Sequence, residues 1–128
     1  MTTDEVRAFA EKWIDAWNRR DAEAVLAHFD DNVVFTSPTA LAVVGVSTLH
    51  GKAAVRMYWS AALAHIRSLH FVLDRCVWDP TSRELAIIYV SEVNGEAKQV
   101  SEHLQFDTGG RVTRGEVFHG ATRPPGTR

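Results

Sequence analysis

Apolar residues recur along the first part of the chain at spacings of three and four. Val6, Phe9, Trp13 and Trp17 form one such series, which predicts an amphipathic helix. Thr2 followed by Glu5 has the capping-box spacing, so this helix begins close to the N-terminus. The polar group Asn18-Arg19-Arg20-Asp21 ends it, and Asp21 is placed to cap a second, shorter helix carrying Val25, Leu26 and Phe29. A turn at Asp30-Asp31-Asn32 leads into Val33-Val34-Phe35-Thr36, a short β-prone run that Ser37-Pro38 stops. Residues 39–50 show no clear period and read as a long connection, the kind of segment often used as a lid or binding loop. After Gly51 the helical spacing returns in Val55, Trp59, Ala62, Leu63 and Ile66.

Past residue 68 the period changes to two. Strands are predicted at 69–78, 83–93, 96–107 and 111–119. Asn94-Gly95 is a strong hairpin signal between the second and third of these, and Asp107-Thr108-Gly109-Gly110 joins the third and fourth. Three helices followed by an antiparallel meander give an α+β domain, with helices packed on an antiparallel sheet. Residues 1–120 read as one domain and 121–128, with two prolines and a glycine, as a disordered tail.

The two turns set a register. A two-residue turn at Asn94-Gly95 pairs Val93 with Glu96 and brings Ile87 opposite Glu102. A turn centred on Thr108-Gly109 brings Glu102 opposite Gly115. Paired residues share a sheet face. One face then carries Leu85, Ile87, Tyr89, Ser91 and Val93 beside Val100, Glu102, Leu104 and Phe106, with Thr113, Gly115, Val117 and His119. It is mostly apolar, and Glu102 is the carboxylate in its middle. Gly115 predicts open space beside that carboxylate, and Trp13, Trp17 and Trp59 cover the same surface from the helices. Lost hydration raises the pKa of such a carboxyl. Against this stand two plainer readings. Glu102 fills a polar gap by bonding a tyrosine or tryptophan, or a one-residue slip turns it to water.

Tyr89, one rung diagonal from Glu102, is the better hydrogen-bond partner. His119 falls opposite Lys98, ~13 Å along the strands from Glu102, too far for a direct pair but within the span of a substrate. The opposite sheet face has an apolar strip at Ala86, Ile88, Val90 and Phe118, which predicts a homodimer through the outer face.

Composition narrows the partners. The 128 residues are 45% hydrophobic and 23% charged with a net charge of −2, so nothing favours nucleic acid. Cys76 is the one cysteine, and no apolar run approaches membrane-spanning length; the chain reads as soluble and cytoplasmic. None of the six histidines has ligand spacing, so no metal is expected, and no glycine-rich phosphate loop or other cofactor motif is present. Nucleophilic catalysis has no support either: Cys76 has no obvious base beside it, and no nucleophile elbow occurs.

Several segments carry a family resemblance: two tryptophans on the first helix, Asp21-Ala22-Glu23-Ala24-Val25, Phe29-Asp30-Asp31-Asn32-Val33-Val34-Phe35 running into Ser37-Pro38, Gly51 ahead of a helix, and Phe106-Asp107-Thr108-Gly109-Gly110-Arg111-Val112. In order and spacing they resemble the nuclear transport factor 2-like superfamily, in its SnoaL-like branch of polyketide cyclases and steroid isomerases. The resemblance implies a cone-shaped, cystatin-like α+β barrel, with about four long strands and a short one, three N-terminal helices, an internal pocket and frequent dimerisation. It does not imply one reaction. In the ketosteroid isomerase pattern the aspartate base falls at Ser37, the oxyanion-binding tyrosine at Trp13 and the protonated aspartic acid at Glu102. Serine cannot act as a carboxylate base at neutral pH, which argues against that activity. The Asp-Arg-Asp arrangement of limonene epoxide hydrolases is not seen.

Two functional readings follow. In one, a cofactor-free acid–base enzyme isomerises, cyclises or dehydrates a small apolar or cyclic substrate. Glu102 and Tyr89 are then catalytic, and Trp13, Trp17, Ser37, Trp59, Ile87, Leu104, Gly115, Val117 and His119 surround the ligand. In the other, the same pocket holds a hydrophobic ligand, or the domain binds a protein partner, without chemistry.

Overall fold

The structure is a computed structural model and describes residues 1–123. Its helices are α1 (Thr3–Asn18), α2 (Ala22–Leu26), α3 (Pro38–Val44) and α4 (Lys52–Ala64). Its strands are β1 (Phe29–Thr36), β2 (Thr48–His50), β3 (Leu69–Asp79), β4 (Glu84–Val93), β5 (Glu96–Phe106) and β6 (Val112–Arg123). The strands form one curved, unclosed sheet in the order β2-β1-β6-β5-β4-β3.

Helix α1 starts where the capping box places it. The Thr2 hydroxyl accepts from the Glu5 N–H at 3.1 Å, and the Glu5 carboxylate accepts from the Thr2 N–H at 2.9 Å. Asp21 caps α2 by accepting from the Ala24 N–H. The buried stripes of α1 (Val6, Ala10, Trp13, Trp17) and α4 (Val55, Tyr58, Trp59) share one core with the apolar face of the sheet.

Three expectations need correction. Residues 39–50 are not a bare connection but contain α3 and β2. Pro38 occupies the first turn of α3, where its missing N–H costs nothing, and Gly45 closes the helix at φ 84°. The helix escapes a periodicity reading because only Ala40 is buried, while Leu41 and Val44 stay exposed. Second, Phe29 opens β1 instead of ending α2, and β1 runs parallel to β6, so the sheet is mixed and not wholly antiparallel. A chain that returns through the whole meander can lay its last strand alongside an early one in the same direction. Third, Ala121–Arg123 belong to β6: Thr122 pairs with Lys98 and Arg123 with Ala97, because β5 is long enough to offer them partners. Residues 124–128 of the expected tail lie outside the described residues.

The β4–β5 register is the one the Asn94-Gly95 turn dictates, with Val93 opposite Glu96 and Ile87 opposite Glu102. The β5–β6 register differs. Asp107 holds a longer turn: its carboxylate accepts from the N–H groups of Gly109 and Arg111, and Gly110 takes φ 85°. A bulge between Gln105 and Phe106 adds a second offset. Glu102 therefore faces Val117, and Gly115 faces Leu104. Each offset alone would turn β6 over; the two together move it by two residues and leave Val117 and His119 on the inner face.

Candidate functional site

A cavity of about 190 Å³ lies between the inner face of the sheet and helix α4. Trp17, Trp59, Phe71 and Val100 give it apolar walls. The tryptophans are fixed edge to face, Trp17 against Trp59 at 4.7 Å.

Glu102 lines this cavity although its residue is only 4% exposed. Its Oε2 has no hydrogen-bond partner among the described residues. Burial disfavours the charged form and pushes the carboxyl from 4.5 up to about 8, while a hydrogen bond from Tyr89 works in the opposite direction. At neutral pH Glu102 is mainly a neutral acid. Tyr89 is the diagonal neighbour that the pairing of Ile87 with Glu102 predicts, and burial together with the adjacent carboxyl holds its phenol well above its ordinary value.

Ser37 also reaches the cavity, buried at the start of α3, with its hydroxyl 3.4 Å from that of Tyr58. Tyr58 is a site residue that sequence reasoning missed. Its spacing from Val55 and Ala62 is helical, so the stripe already drawn on α4 could have found it. Its phenol is raised by burial and opposed by bonds to Ser37 and Thr39, and it lies within electrostatic reach of Glu102. Phe35 and Lys98 were missed as well; both line the cavity.

Of the remaining expected site residues, Trp17, Trp59, Val117 and His119 line the cavity. His119 sits opposite Val100, not Lys98, because the same two-residue offset that sets Glu102 opposite Val117 carries on along the ladder, and a further bulge then places Lys98 opposite Thr122. It is therefore nearer Glu102 than expected, two residues along β6 from Val117. Four other expectations are corrected. Ile87 and Leu104 share the face of Glu102 but are fully buried in the core and do not border the cavity. Trp13 stands behind Tyr89, ring centres 5.6 Å apart, and supports that ring without touching the hollow. Gly115 opens no space: a Cβ there would lie 2.8 Å from Phe35 Cδ1, so the ring of Phe35 already occupies the place left by the missing side chain.

Among the described residues no three His, Cys, Asp or Glu side chains converge to hold a metal ion, and no helix is long and apolar enough to cross a membrane. The site offers a neutral buried acid, two phenols and a serine hydroxyl facing an apolar hollow. That set can donate or relay a proton to a carbonyl or hydroxyl oxygen.

The fold recurs in solved structures. A SnoaL-like protein of unknown function from Burkholderia thailandensis is 29% identical, with 94% of this chain and 98% of that one covered and a TM-score of 0.82. A steroid delta-isomerase from Pseudomonas aeruginosa is 22% identical over 93% of this chain and 80% of that one, TM-score 0.66. The epoxide hydrolase/cyclase-like enzyme SalBIII, of pyran ring formation in salinomycin, is 14% identical over 91% and 92%, TM-score 0.72. At such identities the last two speak for the fold alone. No curated protein matches the sequence. The family model of the SnoaL-like domain matches residues 10–122, most of the chain, and this protein belongs to the SnoaL-like family.

Proposed function

We propose that this protein is a cofactor-free acid–base enzyme that isomerises, cyclises or dehydrates a small apolar or cyclic substrate. The observation that carries the reading is Glu102: a buried carboxyl with one unpartnered oxygen, bordering a cavity, its pKa raised to about 8. A general acid works best when its pKa lies near the operating pH. Glu102 transfers the proton, Tyr89 orients it, and Tyr58 with Ser37 forms the facing polar wall. Standard ketosteroid isomerisation is not the reaction, because Ser37 supplies no carboxylate base.

Dehydration of a β-hydroxy cyclic ketone to the conjugated enone and water, with Glu102 protonating the departing hydroxyl, tests this when followed by ultraviolet absorbance. Glu102→Gln is expected to lower kcat by roughly 10²-fold or more. The native kcat/KM is expected to fall as pH rises through about 8, where the proton is lost. A native protein that binds the ketone yet never dehydrates it would instead support the non-catalytic ligand-binding reading, which the absence of a carboxylate at position 37 favours.

The homodimer is also a proposal. On the outer face Phe118 is 49% exposed, its ring edge to face with His103 at 5.0 Å. Light scattering on eluting protein is expected to report a dimer, and Phe118→Glu a monomer. A native monomer at high protein concentration would end the idea.

A further inference from the structure

The two ends of the cavity differ in chemistry. At the inner end Glu102, Tyr89, Tyr58 and Ser37 are nearly closed to solvent. At the outer end Lys98 and His119 border the same hollow, Lys98 half-buried and His119 exposed. Ser91, a buried hydroxyl that also lines the cavity, pairs with Lys98 across the ladder. Burial and the charge of Lys98 both hold the imidazole of His119 below its ordinary pKa, so at neutral pH it is an uncharged hydrogen-bonding group.

Lys98 has no ion-pair partner among the described residues. Glu96 also borders the cavity, but it stands at the exposed start of β5 and comes within ion-pair distance of no described cation. Water and salt screen a charge placed there, whereas Lys98 is partly withdrawn from both. Lys98, Val100 and Glu102 are alternate residues of one strand face, which sets Lys98 and Glu102 about 13 Å apart along β5 with apolar wall between them. An ammonium group that has lost part of its hydration gains most from a carboxylate, through a charge-assisted hydrogen bond.

We propose that Lys98, with Ser91 and His119 beside it, is an anion subsite, and that the pocket takes amphiphilic acids: an apolar or cyclic body directed at Glu102 with a carboxylate at the opposite end. This rests on the reading of the cavity as the ligand site and names the substrate class, but it does not depend on turnover.

Calorimetric titration with 5-phenylpentanoate and its uncharged amide, 5-phenylpentanamide, tests the assignment. The native protein is expected to bind the acid at least about tenfold more tightly than the amide, the range of one charge-assisted hydrogen bond. Lys98→Met keeps the apolar stem and is expected to remove the preference by weakening acid binding far more than amide binding, and a urea midpoint close to the native one shows that the variant is folded. Glu96→Gln is expected to leave the preference in place or increase it. Equal binding of acid and amide by the native protein, persistence of the preference in Lys98→Met, or binding of neither probe overturns the proposal. Glu102→Gln separates the two readings: it is expected to keep the acid preference. Preference without turnover removes only the catalytic proposal, and turnover of neutral ketones without preference removes only this one.

Discussion

At pH 9 the Glu102→Gln variant is expected to be more stable than the native protein by roughly 5 kcal/mol, while at pH 4.5 the two unfold alike. The folded-state pKa of Glu102 is raised from 4.5 to about 8. Below 4.5 both folded and unfolded chains hold the proton. Between 4.5 and about 8 the unfolded chain has released it and the folded chain has not, so native stability falls across that window and levels off above it. A shift of this size corresponds to ~5 kcal/mol at ~1.4 kcal/mol per pH unit. That is comparable with the whole stability of many small domains, so the alkaline limb of native stability depends heavily on this residue. Glutamine has the shape of the protonated acid and no charge to desolvate. Urea unfolding of both proteins at stepped pH measures the gap. A constant difference from pH 5 to pH 9 means an ionised, hydrated carboxylate, and the proposed acid is lost with it.

The second large effect concerns Phe35 and Gly115, which are neighbours across the parallel β1–β6 ladder. Phe35 is 1% exposed, so Phe35→Ala is expected to cost about 4 kcal/mol in lost burial and cavity. Gly115→Ala in the native background is expected to cost about 2 kcal/mol, because the new Cβ would sit 2.8 Å and 3.1 Å from ring atoms of Phe35. That ring is held against Phe29, Tyr58 and Trp59 and cannot step aside. With Phe35→Ala already present, Gly115→Ala is expected to cost nothing, a coupling of ~2 kcal/mol between touching residues. Additive losses in urea unfolding would mean that the glycine serves the strand backbone instead of seating the ring.

Much of the site was legible in the sequence because it depends on local geometry. Asn94-Gly95 permits few turns, so the pairing of Ile87 with Glu102 and the diagonal approach of Tyr89 follow from counting outward. The next turn was harder. Asp107 accepts two backbone N–H groups and lengthens it, and the following bulge has no sequence mark, so Gly115 was placed beside the wrong residue. The inward aim of β6 survived because the two errors had the same effect as one full repeat of the strand.

Periodicity and turn residues, read along the chain, were enough to establish the α+β class, the helical stripe bearing Trp13 and Trp17, and the face on which Glu102 lies. Those are matters of neighbours a few residues apart, where backbone sterics and a strand's alternation leave little choice. Which members of that face line a hollow was decided only by tertiary structure. Ile87 and Leu104 are sealed in the core, whereas Phe35, Tyr58 and Lys98 meet around open space from β1, α4 and β5. A cavity is a property of volumes brought together from distant segments, and no pattern within any one segment records where the packing stops.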